Sequence, residues 1–541
     1  MQNLTGWRAH IYRHVRHVMV GLLLLGAVFQ AVAKSNDKVA AATGAKTRWQ
    51  KVQNDAQHAV VQILSYAAEP HILRPYIRES SEGRGSGSFI QEGTGLILTC
   101  YHVIENAVNV GIQMPLYCGK RVLPVRIVGV CPEFDFALLE LDPAVRAELE
   151  KQFGALPTLK LGNSDKVQRS EQLLGLGFPL GDESLKSVTG VVSGYEHVVS
   201  RNGIRFHQSY AIQVSTPLNP GSSGGPVLNK KGEIVGICMS GNPEAQNVGF
   251  VAPINHYKVI QSRLKQEGIV RKPYLGVFFC RAKDNELAQM LGNPVPAGCY
   301  LSYVSSTGLA GQAGIKEGDM LYSINGFSVD PYGCISLKGQ SGDRLYVQDY
   351  LATLPLGSDV ECVLYRNGTK HEFTIPWKLS EEPAIRWRYQ PYDQVDYEII
   401  GGLLLQELSL NIIALFDHRS IGNDLPAVRS RLDQYKEDAN RQESVLVVTH
   451  VFASSAAYMA RSCGVGSIIT EVNGQPVKTL RDVRSALSQQ GSRDFVVFKT
   501  DEQEPLALPV ATIVQNEEAL ARAFGYRITP GMAHLIADKK Q

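Results

Sequence analysis

Ser223 stands in Asn219-Pro220-Gly221-Ser222-Ser223-Gly224-Gly225-Pro226. Glycines on both sides of a serine let the backbone turn so that the amide N–H groups of Gly221 and Ser223, with Ser222 between them, aim at one point, where a developing oxyanion is held. Alone the run is a common Gly/Ser turn. Two upstream residues turn it into nucleophilic chemistry on a carbonyl. His102 ends the apolar run Gly95-Leu96-Ile97-Leu98-Thr99-Cys100-Tyr101-His102, and Asp135 opens Phe136-Ala137-Leu138-Leu139-Glu140-Leu141. A hydroxyl, an imidazole to take its proton and a carboxylate to orient the imidazole form one working set, in the chain order His, Asp, Ser.

These residues need strands to carry them. The sequence reads as a strand around Gly85-Ser86-Gly87-Ser88-Phe89-Ile90, a turn at Gly93 and Gly95, and a second strand delivering His102. Short apolar runs separated by Gly, Pro and Asn continue to about residue 265. They predict a mainly β fold of two packed antiparallel barrels, with His102 and Asp135 on the first and Ser223 on the second. The segment Pro70–Arg84 reads as a polar loop.

The chain resembles the HtrA/Deg family of exported serine proteases, a trypsin-like domain followed by one or two PDZ domains. The resemblance rests on Gly85-Ser86-Gly87, Leu98-Thr99-Cys100-Tyr101-His102-Val103, Asp135-Phe136-Ala137-Leu138-Leu139 and the Ser223 run, where Ser222 replaces the family's usual asparagine. Gly175-Leu176-Gly177-Phe178-Pro179 and Val248-Gly249-Phe250-Val251-Ala252-Pro253 also match. It covers about residues 50–378 well and the rest loosely. It implies endopeptidase action on unfolded or damaged exported proteins, capture of C-terminal peptides, and a homotrimer or a multiple of one, without a cofactor. In such folds the residue six positions before the nucleophile lies at the base of the primary pocket. Here it is Pro217, with Leu218 beside it and Phe250 as a candidate wall, which points to cleavage after small or medium aliphatic residues.

Length and composition set the frame. A chain of 541 residues exceeds one ordinary core. Arg8, Arg13 and Arg16, then Val18–Ala33 ending Ala31-Val32-Ala33, read as a leader cleaved after residue 33, with an uncleaved anchor as the alternative. Export to the periplasm follows, with secretion or membrane association as variants. Losing that leader takes formal charge from +2 to −1, which offers nothing to nucleic acid. Nine cysteines without C-x-x-C pairs, and no H-e-x-x-H run, give no metal-site motif. Cys100 reads as a small buried hydrophobe.

The expected domains are 47–265 (protease), 272–378 (PDZ) and 397–513 (a second PDZ-like unit), with a linker at 379–396. In the first PDZ unit Tyr274-Leu275-Gly276-Val277 resembles a carboxylate-binding loop at a strand edge, and Ala310 to Leu321 with Ile324-Asn325-Gly326 supplies the rest of the pattern. In the second, Gly401-Gly402-Leu403-Leu404 is the corresponding candidate. The charged, helical stretch 424–443 interrupts that unit, so peptide capture and an assembly role both fit it. The rival to a working enzyme is a peptide-binding chaperone or scaffold whose protease fold rests.

Overall fold

The computed structural model describes residues 47–541 apart from 203–204, 217, 242–246, 281–283, 297, 337–343, 418–425, 492 and 541. The expected leader and Pro217 lie outside the described residues. The chain divides into two compact parts, Met1–Asp55 and Ala56–Gln541. Of the first, the structure describes little beyond the start of the helix Arg48–Ala56. All the elements of the site belong to the second.

Six strands close a first barrel: β1 (Val60–His71), β2 (Arg74–Phe89), β3 (Leu96–Thr99), β4 (Ala107–Gln113), β5 (Leu123–Cys131) and β6 (Phe136–Leu141), in the order β1-β2-β3-β6-β5-β4. A second closes with β7 (Gln172–Gly177), β8 (Lys186–Asn202), β9 (Arg205–Val214), β10 (Pro226–Leu228), β11 (Ile234–Gly241) and β12 (Gly249–Pro253), ordered β10-β11-β12-β9-β8-β7. Closure satisfies both edges of every sheet. Ile63, Phe89, Ile112 and Leu139 fill the first barrel region, and Val192, Ile212, Val227 and Val251 the second. The helix Ile254–Glu267 then returns to β5, where it runs so close that a Cβ on Gly129 would sit 2.0 Å from the Leu264 carbonyl oxygen. The expected double barrel is therefore present.

Two smaller α+β modules follow. The first has β13 (Val277–Cys280), β14 (Cys299–Val304), β15 (Met320–Ile324), β16 (Phe327–Ser328), β17 (Cys334–Ser336), β18 (Arg344–Tyr346), β19 (Asp359–Arg366) and β20 (Thr369–Pro376). Its main sheet is ordered β13-β14-β15-β19-β20, so β13 is an edge strand. The helix Val347–Ala352 buries Val347 and Leu351 in the same core as Phe279, Leu301 and Leu364. One residue of that helix, Asp349, lies 2.7 Å from Nδ1 of His197 on β8, tying this module to the second barrel.

The second module has β21 (Glu398–Ile400), β22 (Leu403–Glu407), β23 (Leu446–Val451), β24 (Ile468–Val472), β25 (Gln475–Pro476), β26 (Phe495–Thr500) and β27 (Pro505–Pro509), ordered β21-β22-β23-β24-β26-β27 with β25 on β24. Its core runs past the expected end at residue 513, because the C-terminal helix Pro530–Lys540 buries Met532 and Leu535 against Leu405, Val483 and Leu487. The stretch expected to be helical forms the helix Pro426–Asp433 and the 3₁₀ turns Gln434–Lys436 and Asp438–Arg441.

Two expectations need correction. Pro70–Arg84 is not a polar loop: it is the far half of the β1–β2 hairpin, paired from Glu69 with Glu79 back to Val60 with Ser88. Its tip is ordered by docking on the second module, where Ile72 and Leu73 join Leu408 and Ile412, and Tyr76 stacks on Phe452 at 6.0 Å. Residues 379–396 are not a free linker either. They form a packed strap with Ile385 and Tyr389 buried and Asp393 bonded to Arg271 (2.6 and 2.8 Å).

Candidate active site

Antiparallel pairing of β3 with β6 ends at Thr99 opposite Ala137. His102 comes three residues after the first and Asp135 two before the second, so the register alone brings them together. His102 rides a 3₁₀ turn, Tyr101–Val103, directly after the strand. Asp135 follows another, Pro132–Phe134, with φ 58° and ψ 40°. That left-handed backbone turns the carboxylate back under the histidine. Asp135 Oδ1 accepts from the His102 backbone N–H at 2.9 Å, and Oδ2 lies 2.7 Å from Nδ1. Asp135 is 4% exposed. Burial pulls the His102 pKa down, but the charge of Asp135 and its hydrogen bond outweigh that, leaving the imidazole above its ordinary value.

Ser223 lies in the turn that leads into β10, and Ser86 of the first barrel anchors that turn. Ser86 N–H donates to the Ser223 carbonyl (2.8 Å) and its Oγ to the Gly221 carbonyl (2.7 Å), while Oγ also accepts from Phe178 N–H (2.8 Å). Three segments therefore meet on one hydroxyl. Gly85-Ser86-Gly87 carries part of the family resemblance, but its spacing alone does not assign Ser86 this task. The signal was the flanking glycines: a Cβ on Gly85 would lie 2.4 Å from Val103 Cγ1 and 3.2 Å from the Ser223 carbonyl oxygen.

The amides of the turn fall into two groups. Ser222 N–H donates to Asn219 O (3.0 Å), Gly224 N–H to Cys238 O (2.7 Å) and Gly225 N–H to Ser222 O (3.0 Å). Those of Gly221 and Ser223 have no acceptor among the described residues. Ser222, expected as part of the oxyanion hole, is thus no donor there, because its N–H is already spent inside the turn. Gly221 has φ 95°, and a Cβ on it would meet the Phe178 carbonyl oxygen at 2.5 Å, so only glycine fits. Among the described residues the Ser223 hydroxyl donates to the Met239 carbonyl (3.1 Å) rather than to the imidazole.

Cys100 is buried as expected, its thiol donating to Cys238 O at 3.2 Å. With His102 and Asp135 it forms a group whose ligand atoms lie within 4.8 Å of one another. Burial, then the charge of Asp135, pushes that thiol well above its ordinary value. Since a metal takes the thiolate, this set is a poor cradle for one. None of the nine cysteines is in a disulfide.

Of the candidate pocket residues, Leu218 lies against Gly249 of β12 and Phe250 is the next residue on that strand. Leu218 packs on the second barrel's core, and a Cβ on Gly249 would lie 2.8 Å from Leu218 Cγ, next to Phe250 on β12. In the first small module, the carbonyls of Tyr274, Leu275 and Gly276 are fixed by the N–H groups of Leu309 (3.1 Å), Ala310 (3.1 Å) and Ser305 (2.7 Å). The amides of Leu275 and Gly276 have no acceptor among the described residues, and Val277 starts the edge strand β13. The Tyr274 hydroxyl donates to Asp438 at 2.6 Å, a contact with the second module. That module repeats the loop, Ala457 N–H holding the Gly401 carbonyl (3.0 Å) and Phe452 N–H that of Gly402 (2.9 Å). However, β22 is not a free edge there: β21 pairs with it through Ile400–Leu403, Ile399–Leu404 and Glu398–Leu405. The Gly401–Leu404 candidate is already covered by the chain itself.

Comparison with known proteins agrees with this layout. Residues 85–237 match the trypsin-like peptidase domain family, and residues 388–529 a PDZ domain family. The putative serine protease HhoB of Synechocystis is 31% identical over 46% of this chain and 58% of its own length. A probable periplasmic serine endoprotease DegP-like of Pseudomonas putida is 32% identical over 48% and 50% respectively. The periplasmic serine endoprotease DegP of Salmonella typhimurium is 26% identical over 75% of this chain and 72% of its own. The match thus spans only 58% and 50% of the lengths of the first two relatives. A solved structure, HtrA-type protease AlgW with decapeptide, aligns with TM-score 0.46 at 23% identity, covering 62% of this chain and all of that one. No helix among the described residues is long and apolar enough to cross a membrane. A trypsin-like double barrel thus stands ahead of a module that matches the PDZ domain family, and the chain is similar to DegP-like serine proteases over that layout.

Proposed function

We propose that the chain is a serine endopeptidase that degrades unfolded or damaged exported proteins. The observation that carries this reading is the pairing of His102, held by the buried carboxylate of Asp135, with two uncommitted amides, on Gly221 and Ser223, at the serine. Ser223 Oγ attacks the scissile carbonyl while His102 takes its proton and later delivers it to the leaving amine. Asp135 fixes the imidazole's tautomer and stabilises its cation. The two amides hold the oxyanion, each worth about 3 kcal/mol in the transition state. Leu218 and Phe250 line an apolar primary pocket, so cleavage falls after Val, Ala, Ile or Leu. The Tyr274–Val277 loop and the free edge of β13 take a peptide C-terminus as an added strand. The working assembly is a homotrimer or a multiple of one, in the periplasm behind a cleaved leader.

A second reading is favoured by one observation: the Ser223 hydroxyl donates to Met239 and not to His102. In that reading the protease rests and the chain acts as a peptide-binding chaperone until substrate swings the hydroxyl over. The deciding experiment is degradation of unfolded casein by the purified mature chain and by Ser223→Ala. Cleavage lost only in the variant supports the enzyme; equal cleavage by both removes Ser223 as nucleophile. No cleavage by either protein, with suppression of casein aggregation, supports the resting chaperone.

A further inference from the structure

A cavity of about 530 Å³ lies where the β1–β2 hairpin, the loop after His102, the 385–396 strap and the second module meet. That size falls within the ~300–1,000 Å³ of ordinary small-ligand sites. It is separate from the Ser223 turn and from the Tyr274–Val277 loop, none of whose residues line it.

Its polar groups are of two kinds. Arg388 is half-buried, and its guanidinium donates to the Ala384 carbonyl at a long 3.4 Å. No carboxylate among the described residues lies within ion-pair distance of it. Burial, followed by the like charge of Arg386, holds its pKa below the usual arginine value, so an anion in the cavity would relieve it. Opposite in character, the Asn106 Oδ1 atom is buried with no hydrogen-bond partner. Glu69 adds a carboxylate without an ion pair among the described residues. The remaining acids are committed: Asp396 is held by Arg484 (2.7 and 2.8 Å), and Glu407 accepts from Leu480 N–H (3.3 Å). Glu105, beside Asn106, also lines the space.

We propose that this cavity binds a short peptide, two or three residues long, by both of its free ends. Its carboxylate seats on Arg388, and its ammonium and first N–H groups donate to Glu69 and Asn106 Oδ1. A half-buried cation without a counter-ion and a buried orphan acceptor are each costly alone, and one amphoteric ligand answers both. The demand for a free amino end separates this site from any carboxylate loop, which reads only the other terminus.

Isothermal titration of the full chain carrying Ser223→Ala with trialanine tests this. Trialanine should bind, and N-acetylation and C-amidation should each weaken binding at least tenfold. Arg388→Gln, and separately Asn106→Gly, which keeps the left-handed backbone (φ 56°) while removing the acceptor, should do the same. Thermal melting checks that each variant is folded; if one is not, the acetylated and amidated ligands on the parent decide. Acetyl-trialanine binding as tightly as trialanine, or no binding at millimolar peptide, overturns the proposal.

Discussion

Lys272 grips Glu133 twice: its backbone N–H donates to Glu133 Oε2 at 2.6 Å, and its ammonium donates to the Glu133 carbonyl at 3.0 Å while lying 4.0 Å over the Phe134 ring. Glu133 and Phe134 form the turn that sets Asp135. The next residue along, Arg271, is bonded to Asp393 of the strap, whose Tyr389 packs edge-on to Tyr101 at 6.2 Å, beside His102. Both halves of the His102–Asp135 couple therefore rest on chain that lies outside the barrels.

Lys272→Ala should lower kcat on a short chromogenic peptide by roughly ten- to a hundredfold, the scale of a small misplacement of catalytic groups, and leave KM nearly unchanged. Lys272→Arg should restore part of the loss. Steady-state kinetics of both variants check this; a change confined to KM contradicts a positioning role.

Gly221 and Ser222 should separate cleanly. Gly221→Ala forces a Cβ onto the Phe178 carbonyl at a φ of 95°, displacing one oxyanion donor, and should cost about 10²–10³ in kcat. Ser222→Ala leaves its N–H on Asn219 and should fall within a fewfold of the parent. Equal losses in the two would return Ser222 to the oxyanion hole.

The acid limb of kcat/KM should report His102. Asp135 holds the imidazole above its ordinary value, and only the neutral form accepts the serine proton. Activity should therefore fall as pH drops through an apparent pKa above the ordinary histidine value. Asp135→Asn should move that limb to lower pH and cut kcat by about 10⁴. A limb that stays put in Asp135→Asn assigns it to another group.

Peptide capture at the first small module can be read in the full chain with Ser223→Ala. An eight-residue peptide ending in an apolar residue should bind, and its C-terminal amide should bind at least tenfold more weakly. Gly276→Ala should weaken the free peptide as well, since φ is 73° and its Cβ would lie 2.7 Å from Gly308 Cα. Fluorescence anisotropy measures both; equal binding of acid and amide places capture elsewhere.

What was legible in the sequence was local. His102, Asp135 and Ser223 each sit at the end or start of an apolar run, and strand register does the rest. Ser222 was misread because glycine spacing locates a turn without saying which amides the turn consumes. The hairpin at 70–84 and the strap at 379–396 are not legible locally: the first carries Arg78-Glu79-Ser80-Ser81-Glu82-Gly83-Arg84 with no apolar face, and the second alternates only over Ile385–Gln390, between Pro383 and Pro391. Their order comes from partners far along the chain, such as Ile412 against Ile72 and Arg271 against Asp393. Tyr76, exposed in any local reading, finds Phe452 and Tyr526.

Three residues of β21 lie along β22 on a tether only two residues long. A rival strand from outside competes with a neighbour whose effective concentration is of millimolar order. A dilute peptide cannot win that contest at ordinary affinity, and neither can a second chain seeking an edge to stack against. The self-made strand thus works as a plug, shutting the groove of the second module to traffic.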